Sequence, residues 1–144
     1  MSIIIQRRTP EPPYSLHDAH ILELRPEGEN TLRLVSQTGY VRTAPPYEQV
    51  DGDVAVTGVD WESSYLYLLA YQDVLCGNCG QFAGEKMTVE AFLRKNPRFS
   101  MDIMDETYGY CQMKLNGFLS LEGQCLEFFL ELYYTGEVRY LLKE

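Results

Sequence analysis

Residues 124–144, QCLEFFLELYYTGEVRYLLKE, carry the clearest structural signal in the chain. Apolar and polar side chains alternate before and after the tripeptide Tyr134-Thr135-Gly136. Successive side chains of a β-strand point to opposite faces, so each half predicts a strand with one apolar face. A three-residue loop that ends in glycine then predicts an antiparallel hairpin in which Leu132 lies opposite Val138.

Charge also predicts the register of this hairpin. The pairing places Glu131 opposite Arg139 and Glu127 opposite Lys143 on the outer face. A shift of one residue would turn the apolar side chains outward and separate both charged pairs. The sequence therefore predicts that residues 126–142 form a paired ribbon with one buried side.

The rest of the chain predicts further short strands. Alternation favours strands near residues 20–25, 31–36, 99–104 and 108–115. The apolar run YLYLLAY, residues 65–71, is typical of a central strand that is covered on both faces. One helix is predicted over residues 88–96.

The helix prediction follows from its two ends and its apolar stripe. Thr88 is a suitable N-cap, and Val89 and Phe92 lie on one face of the predicted helix. Asn96-Pro97 ends the helix because proline cannot continue the backbone hydrogen bonding.

Two dipeptides near the C-terminal strands compete as hairpin turns. Asn116-Gly117 and Glu122-Gly123 both have suitable composition, but they are too close together for both to join long strands. We expect one of them to be a bulge or a short-armed turn. Upstream, Asp105-Glu106-Thr107 is expected to be the turn between strands 99–104 and 108–115.

Together these patterns predict a mainly β fold, an antiparallel sandwich or barrel of roughly 8–11 short strands with one short helix at about 88–96. The 144 residues suit a single globular domain, which can bury a core without a disulfide or a metal. Residues 1–13 are expected to form an extended N-terminal arm because the TPEPP stretch is rich in proline.

The net charge of −9 restricts the classes of partner. The acidic excess is largest in residues 101–144, which carry 3 basic and 8 acidic side chains. Nucleic acids and anionic membrane surfaces are recognised by clustered lysine and arginine, so neither is an expected partner. No apolar run approaches the ~20 residues of a membrane-spanning helix. The acidic charge is also typical of soluble bacterial cytosolic proteins. Because Ile3-Ile4-Ile5 is short and Arg7-Arg8 follows it, the start of the chain does not resemble a signal sequence, and a cytoplasmic location is predicted.

The leading functional prediction is a non-catalytic domain that binds a basic protein partner through an acidic, tyrosine-rich β face. The chain has 11 tyrosines, and aromatic residues among acids are common in partner-binding surfaces. Trp61, which lies between Asp60 and Glu62, can stack on a cation. The candidate binding residues are Glu127, Phe129, Glu131, Tyr133 and Trp61.

The first alternative is a small-molecule-binding protein or hydrolase with a pocket inside the β-structure. His17 or His20 would supply polarity, although these two imidazoles point apart on an extended chain. Asp102, Asp105 and Glu106 form an acidic cluster, but their positions fit a turn and do not supply a catalytic carboxylate separation. The pocket walls would be Tyr65, Tyr67, Tyr71, Tyr108 and Tyr110.

The second alternative is a zinc-stabilised module built on the motif Cys76-Gly77-Asn78-Cys79. Zinc needs four ligands, and Cys111 and Cys125 are the remaining thiols. If Glu122-Gly123 forms the turn, Cys125 faces Ser120, which lies about 30 Å along the strand from Cys111. Neither a metal site nor a cofactor is therefore expected.

Overall fold

The computed structural model describes residues 1–6, 11–75 and 79–143, with the side chains of residues 72–75 and 79–82 outside that description. In chain order the strands are β1 (Ser2–Ile5), β2 (Tyr14–Ser15), β3 (His20–Glu27), β4 (Thr31–Ser36), β5 (Tyr40–Arg42), β6 (Gln49–Val50), β7 (Gly52–Val56), β8 (Tyr65–Leu75), β9 (Cys79–Thr88), β10 (Ser100–Gly109), β11 (Gln112–Leu121), β12 (Gln124–Tyr133) and β13 (Val138–Leu142). Helix α1 spans Val89–Lys95, and a 3-10 turn spans Trp61–Ser63.

Ten of these strands form one antiparallel sheet in the order β1-β13-β7-β4-β3-β10-β11-β12-β8-β9. Strands β2, β5 and β6 form a separate sheet. Because β1 and β9 are the two ends of the large sheet, the described strands are not closed into a barrel. The structure thus confirms a mainly β, antiparallel fold with one short helix.

The inner face of the large sheet curves so that distant strands meet. Tyr108 on β10 contacts Tyr140 on β13, although three strands separate β10 from β13 in the sheet order. The second sheet packs against the large sheet at Tyr140. The ring centroids of Tyr14 and Tyr40 lie 4.9 and 5.5 Å from the ring centroid of Tyr140. This sandwich-like packing encloses the apolar core. Its fully buried side chains include Leu32, Leu34, Leu66, Met101, Ile103, Met113 and Phe128.

Helix α1 confirms its prediction. Oγ1 of Thr88 accepts a hydrogen bond from the backbone N–H of Ala91 at 3.2 Å, as an N-cap does. Val89 and Phe92 are buried, and the ring of Phe99 packs edge-on against Phe92 with centroids 4.8 Å apart. The apolar stripe therefore holds α1 against the sheet.

The predicted C-terminal hairpin is wrong in its pairing, although five side chains of its two apolar faces are buried as expected. They are Phe128, Leu130, Leu132, Val138 and Tyr140. Strand β12 pairs with β11 and β8, whereas β13 pairs with β1 and β7. The two strands contribute to the core from different parts of the sheet. The predicted pairs that do not form are Leu132 with Val138, Glu131 with Arg139, and Glu127 with Lys143.

The segment after β12 docks on the loop after β7 instead of turning back. The backbone N–H of Thr135 donates to the carbonyl of Gly58 at 2.9 Å. Gly136 lies so close to Thr57 that an added Cβ would be 2.4 Å from the Thr57 carbonyl oxygen. This glycine is therefore required for close backbone approach and not for a left-handed hairpin turn.

Glu122-Gly123 is the two-residue turn between β11 and β12, with φ of +49° and +79° at its two positions. Asn116-Gly117 lies inside β11, opposite a bulge that β10 forms between Ile103 and Asp105. The expectation that one of these dipeptides is itself a bulge or a short-armed turn is wrong, because the extra residue of the bulge is Met104 on β10 and Asn116-Gly117 is paired within β11.

The turn predicted at Asp105-Glu106-Thr107 is wrong. Strand β10 continues from Ser100 to Gly109 and turns at Tyr110-Cys111. The bulge in β10 accommodates the irregular spacing within the strand, so the three residues remain paired with β11.

The first residues of the predicted N-terminal arm form β1 at the edge of the large sheet. Ile3 and Ile4 lie opposite Leu141 and Tyr140 of β13. The backbone N–H of Gln6 continues this ladder toward β13. Further along the arm, the carbonyl of Pro12 accepts a hydrogen bond from the hydroxyl of Thr43 at 2.7 Å.

Candidate functional site

Four of the five predicted binding residues point away from the core on β12. They alternate with Phe128, Leu130 and Leu132, which are fully buried, as the period of two in a strand requires. We define the β12 face by these four residues and their outward neighbours on the adjacent strands. Its members are Glu127, Phe129, Glu131 and Tyr133 from β12, with Tyr65, Tyr67, Leu69, Tyr71, Lys86, Lys114, Asn116 and Phe118 beside them.

The β12 face exposes several aromatic side chains. Tyr71 is 52% exposed, Phe118 is 48% exposed, and Phe129 and Tyr133 are each 37% exposed. Strand β8 was predicted to be covered on both faces, but it turns its tyrosines toward this surface. Exposed aromatic patches of this kind mark sites of interaction.

The fifth predicted residue, Trp61, lies beside the end of β12. Oδ1 of Asp60 accepts a hydrogen bond from the backbone N–H of Glu62 at 3.1 Å and so caps the turn. The indole Nε1–H of Trp61 donates to the carbonyl of Glu29 at 2.7 Å, which fixes the ring. The backbone N–H of Asp60 donates to the carbonyl of Tyr133 at 2.9 Å, which attaches the turn to β12.

Trp61 and Tyr133 line a common open cleft of about 540 Å³, which we call the Trp61 cleft. Asp60, Glu62 and Glu90 contribute three carboxyl groups, and no lysine, arginine or histidine is among its described lining residues. Glu90 comes from the first turn of α1 and was not predicted from the sequence. An acidic cleft with aromatic walls attracts a cation.

One carboxylate of the β12 face is already matched by cations of the chain itself. Nζ of Lys114 lies 4.0 Å from Oε1 of Glu131, and the hydroxyl of Tyr67 donates to Oε2 at 3.3 Å. Nζ of Lys86 lies 4.2 Å from the ring centroid of Tyr65 and 5.3 Å from that of Tyr67. The contact with Tyr67 and the more distant carboxylate of Glu131 raise the pKa of Lys86.

The other carboxylate of the β12 face, Glu127, has different neighbours. It lies opposite Phe118 on β11 and Leu69 on β8. Desolvation and the Glu127 carboxylate together raise the pKa of the Tyr71 hydroxyl. In the part of the chain that the structure describes, Glu127 forms no ion pair with a lysine or arginine.

The five tyrosines of the alternative pocket are not brought together. Tyr65, Tyr67 and Tyr71 lie on the outer β12 face. Tyr108 lies inside the sandwich, and Tyr110 is 81% exposed at the β10–β11 turn. These positions provide no common wall for a ligand.

The two histidines bind different groups on β10. Nδ1 of His17 is hydrogen-bonded to the carbonyl of Met104, and Nδ1 of His20 lies 2.7 Å from Oδ1 of Asp102. The hydrogen bond to Met104 and the carboxylate of Asp18 raise the pKa of His17. Asp18 has a φ of +66° in the turn between the histidines. Both imidazoles therefore attach this loop to β10.

The predicted acidic cluster is divided between exposed and inner positions. Asp102 and Asp105 are exposed, whereas Glu106 is partly buried. Oε1 of Glu106 accepts a hydrogen bond from the backbone N–H of Leu16 at 2.9 Å, and Oε2 accepts one from the Tyr108 hydroxyl at 2.6 Å. Oε1 of Glu106 thus joins β10 to the segment before β3, whereas Oε2 binds a tyrosine of the same strand.

The cysteines outside the CxxC motif lie far from each other, as predicted. Cys111 is at the β10–β11 turn, and Cys125 faces Ser120 near the other end of β11, about 30 Å away along the strand. The zinc prediction at Cys76 and Cys79 concerns side chains outside the described residues. Among the residues that are described, no three potential ligands are grouped to hold a metal ion.

Comparisons with protein-family models, curated proteins and solved structures found no match to this chain. Within the described ranges, no helix has the length and apolar character needed to span a membrane.

Proposed function

We propose that the chain is a non-catalytic interaction domain that binds a basic segment of a partner protein. The observation that carries the proposal is the Trp61 cleft, which two aromatic residues and three acidic residues line together. A lysine or arginine side chain of the partner matches this chemistry.

The aromatic residues and the carboxylates of the cleft both attract a cation. A cation over an aromatic ring gains about 0.5–1 kcal/mol at an exposed site, and tryptophan is the best of the rings. The carboxylates of Glu62 and Glu90 add Coulomb attraction, which salt weakens. Arginine is favoured over lysine because its planar guanidinium stacks on a ring while its N–H groups reach a carboxylate.

The ring of Trp61 is held in place before any ligand arrives. Its hydrogen bond to the Glu29 carbonyl and the attachment of the turn to Tyr133 fix the position of the indole. A ligand therefore loses less free energy in ordering the site than it would at a mobile tryptophan.

The β12 face extends the contact surface beyond the cleft. Tyr133 belongs to both, so a partner that inserts a cation beside Trp61 also covers Phe129 and Phe118. Buried aromatic residues supply much of the binding energy of protein interfaces. The candidate catalytic residues His17, His20 and Glu106 form structural contacts instead. Their hydrogen bonds link β10 to the start of β3 and to the segment before it.

The test uses the fluorescence of Trp61, which is the single tryptophan of the chain. A hexa-arginine peptide is titrated into the protein at about 20 mM and about 300 mM NaCl. We expect a saturable change in emission that requires more peptide at the higher salt concentration. A hexa-glutamate peptide is expected to cause no change.

The matched variants keep the fluorescent probe. Glu62→Gln combined with Glu90→Gln removes two carboxylates of the cleft and is expected to weaken hexa-arginine binding by about fivefold, as the loss of about 1 kcal/mol implies. Glu48→Gln combined with Glu11→Gln removes the same charge outside the cleft and serves as the control. Equal affinity in both double variants would contradict the proposal.

A further inference from the structure

The two glutamates of the β12 face differ in what surrounds them. Glu127 and Glu131 lie four residues apart on one strand and point to the same side. Glu131 has Lys114 across from it, and Lys86 lies over the neighbouring tyrosine rings. This part of the face shows that its tyrosines and carboxylates accommodate an ammonium group.

Glu127 lies in similar aromatic surroundings, but none of the described lysines or arginines forms an ion pair with it. Its cross-strand neighbours are Phe118 and Leu69, and its carboxylate is hydrogen-bonded to the hydroxyl of Tyr71. The ion pairs formed by the described residues do not include Glu127. A cation supplied from outside would complete at Glu127 the arrangement that Lys86 and Lys114 provide at Glu131.

The distance between this position and the Trp61 cleft follows from strand geometry. Tyr133 lines the cleft and stands six residues after Glu127 on β12. At ~3.3 Å per residue, six residues of an extended strand span about 20 Å. Lys86 and Lys114 lie between the two positions and repel a third cation there.

We infer that the partner segment is extended and carries two cationic side chains six residues apart, one for the Trp61 cleft and one for Glu127. An extended ligand along β12 has the same rise per residue as β12 itself, and residues i and i+6 point to the same face. The intervening positions that face the protein pack on Phe129 and Tyr67 and carry no positive charge. This inference rests on the proposed function, because one of its two contacts is the Trp61 cleft.

The experiment compares two peptides of equal length, composition and charge. Both have seven residues, two arginines and five uncharged residues. One carries arginine at positions 1 and 7, and the other carries arginine at positions 3 and 5. The first is expected to bind about tenfold more tightly, because its second arginine binds intramolecularly once the first is in place. Trp61 fluorescence measures both affinities.

Substitution of Glu127 separates this inference from the proposed function. Glu127→Gln is expected to reduce the affinity for the 1,7-peptide to that for the 3,5-peptide and to leave the latter unchanged. Glu48→Gln, which removes the same charge from another part of the molecule, is expected to preserve the spacing preference. If both peptides bind the native protein equally, the two-contact inference is overturned and the proposed function stands. If neither peptide changes the emission of Trp61, both fail.

Discussion

The side chain of Ser64 accepts a hydrogen bond from the backbone N–H of Tyr133 at 3.1 Å, across 69 residues of sequence. The same hydroxyl donates to the carbonyl of Asp60 at 2.8 Å. Ser64 thereby joins the end of β12 to the turn that presents Trp61, and its side chain is fully buried. This hydroxyl acts together with the Asp60–Tyr133 backbone hydrogen bond and the hydrogen bond from Trp61 to Glu29 in positioning the two aromatic residues that line the Trp61 cleft.

Ser64→Ala is expected to destabilise the protein by about 1–3 kcal/mol, because it removes two hydrogen bonds and leaves the Tyr133 N–H without an acceptor. It is also expected to weaken hexa-arginine binding, since the turn and β12 lose one of the hydrogen bonds that connect them. Urea denaturation and Trp61 fluorescence measure the two effects. Ser63→Ala, at the exposed neighbouring position, should change neither. Unchanged stability in Ser64→Ala would show that the hydroxyl does not hold the cleft together.

Gly136→Ala is expected to destabilise the protein by about 1–3 kcal/mol, as overpacking against a backbone does. Its Cβ would meet the carbonyl oxygen of Thr57 at 2.4 Å. Gly136→Asn should be no better tolerated, because the position lacks space and does not need a positive φ. Gly109→Ala, where an added Cβ meets nothing within 4 Å, is the control for thermal unfolding. A stable Asn variant would instead support the left-handed hairpin turn.

Alternation predicted which side chains of residues 128–140 are buried, but it did not predict which strands are neighbours. The alternating pattern of β12 fits any partner strand with one apolar face, so it is equally compatible with β13 and with β11 and β8. The observed arrangement includes the close approach of Gly136 to Thr57, two residues that are 79 positions apart. A steric contact between such distant residues leaves no local pattern in the sequence.

One part of the candidate site was predictable from alternation, and the other part depends on long-range contacts. Period two places Glu127, Phe129, Glu131 and Tyr133 on one face whichever strands surround them. The proximity of Trp61 to Tyr133 depends on the pairing of β8 with β12, which is a long-range contact. Glu90 was missed because its contribution to the cleft depends on where α1 packs, and not on the N-cap signal that marks the helix.

Two substitutions of Glu106 test the hydrogen bonds that its carboxylate accepts from Leu16 and Tyr108. In Glu106→Leu, the buried N–H of Leu16 and the Tyr108 hydroxyl both lose their acceptor, so a loss of about 2–4 kcal/mol is expected. Glu106→Gln should lose less, since its oxygen can still accept from Leu16 while its amide donates to the Tyr108 hydroxyl. Glu122→Gln at the exposed β11–β12 turn is the control. Urea denaturation should give the order native, Gln and Leu, and a reversal of the two variants would contradict the assigned contacts.

His17 is expected to make stability depend on pH near neutrality. Its pKa is raised above the ordinary 6.5 by the hydrogen bond to the Met104 carbonyl and by Asp18, with smaller contributions from Asp105 and Glu106. A raised pKa in the folded state favours the protonated form, so its contribution to stability is fully present below pH 6.5 and is lost as the pH rises through the folded value.

The melting temperature should therefore fall between about pH 6 and about pH 8, and His17→Gln should reduce that slope. An NMR titration of the His17 ring provides the direct measurement. A midpoint at or below the ordinary histidine value would show that Met104 and Asp18 do not favour the charged ring.

Substitution of Lys86 tests whether a basic peptide binds specifically to the β12 face or is attracted only by the net charge of the protein. Its ammonium group lies over Tyr65 and Tyr67 beside Glu131, in the middle of the surface that a basic partner would cover. Lys86→Gln removes a repulsive charge and uncovers two aromatic rings, so hexa-arginine should bind about threefold to fivefold more tightly. Lys95→Gln, at the end of α1, changes the net charge by the same amount away from the β12 face. Equal gains in the two variants would mean that the peptide responds to the net charge of −9 and not to the arrangement of residues around β12.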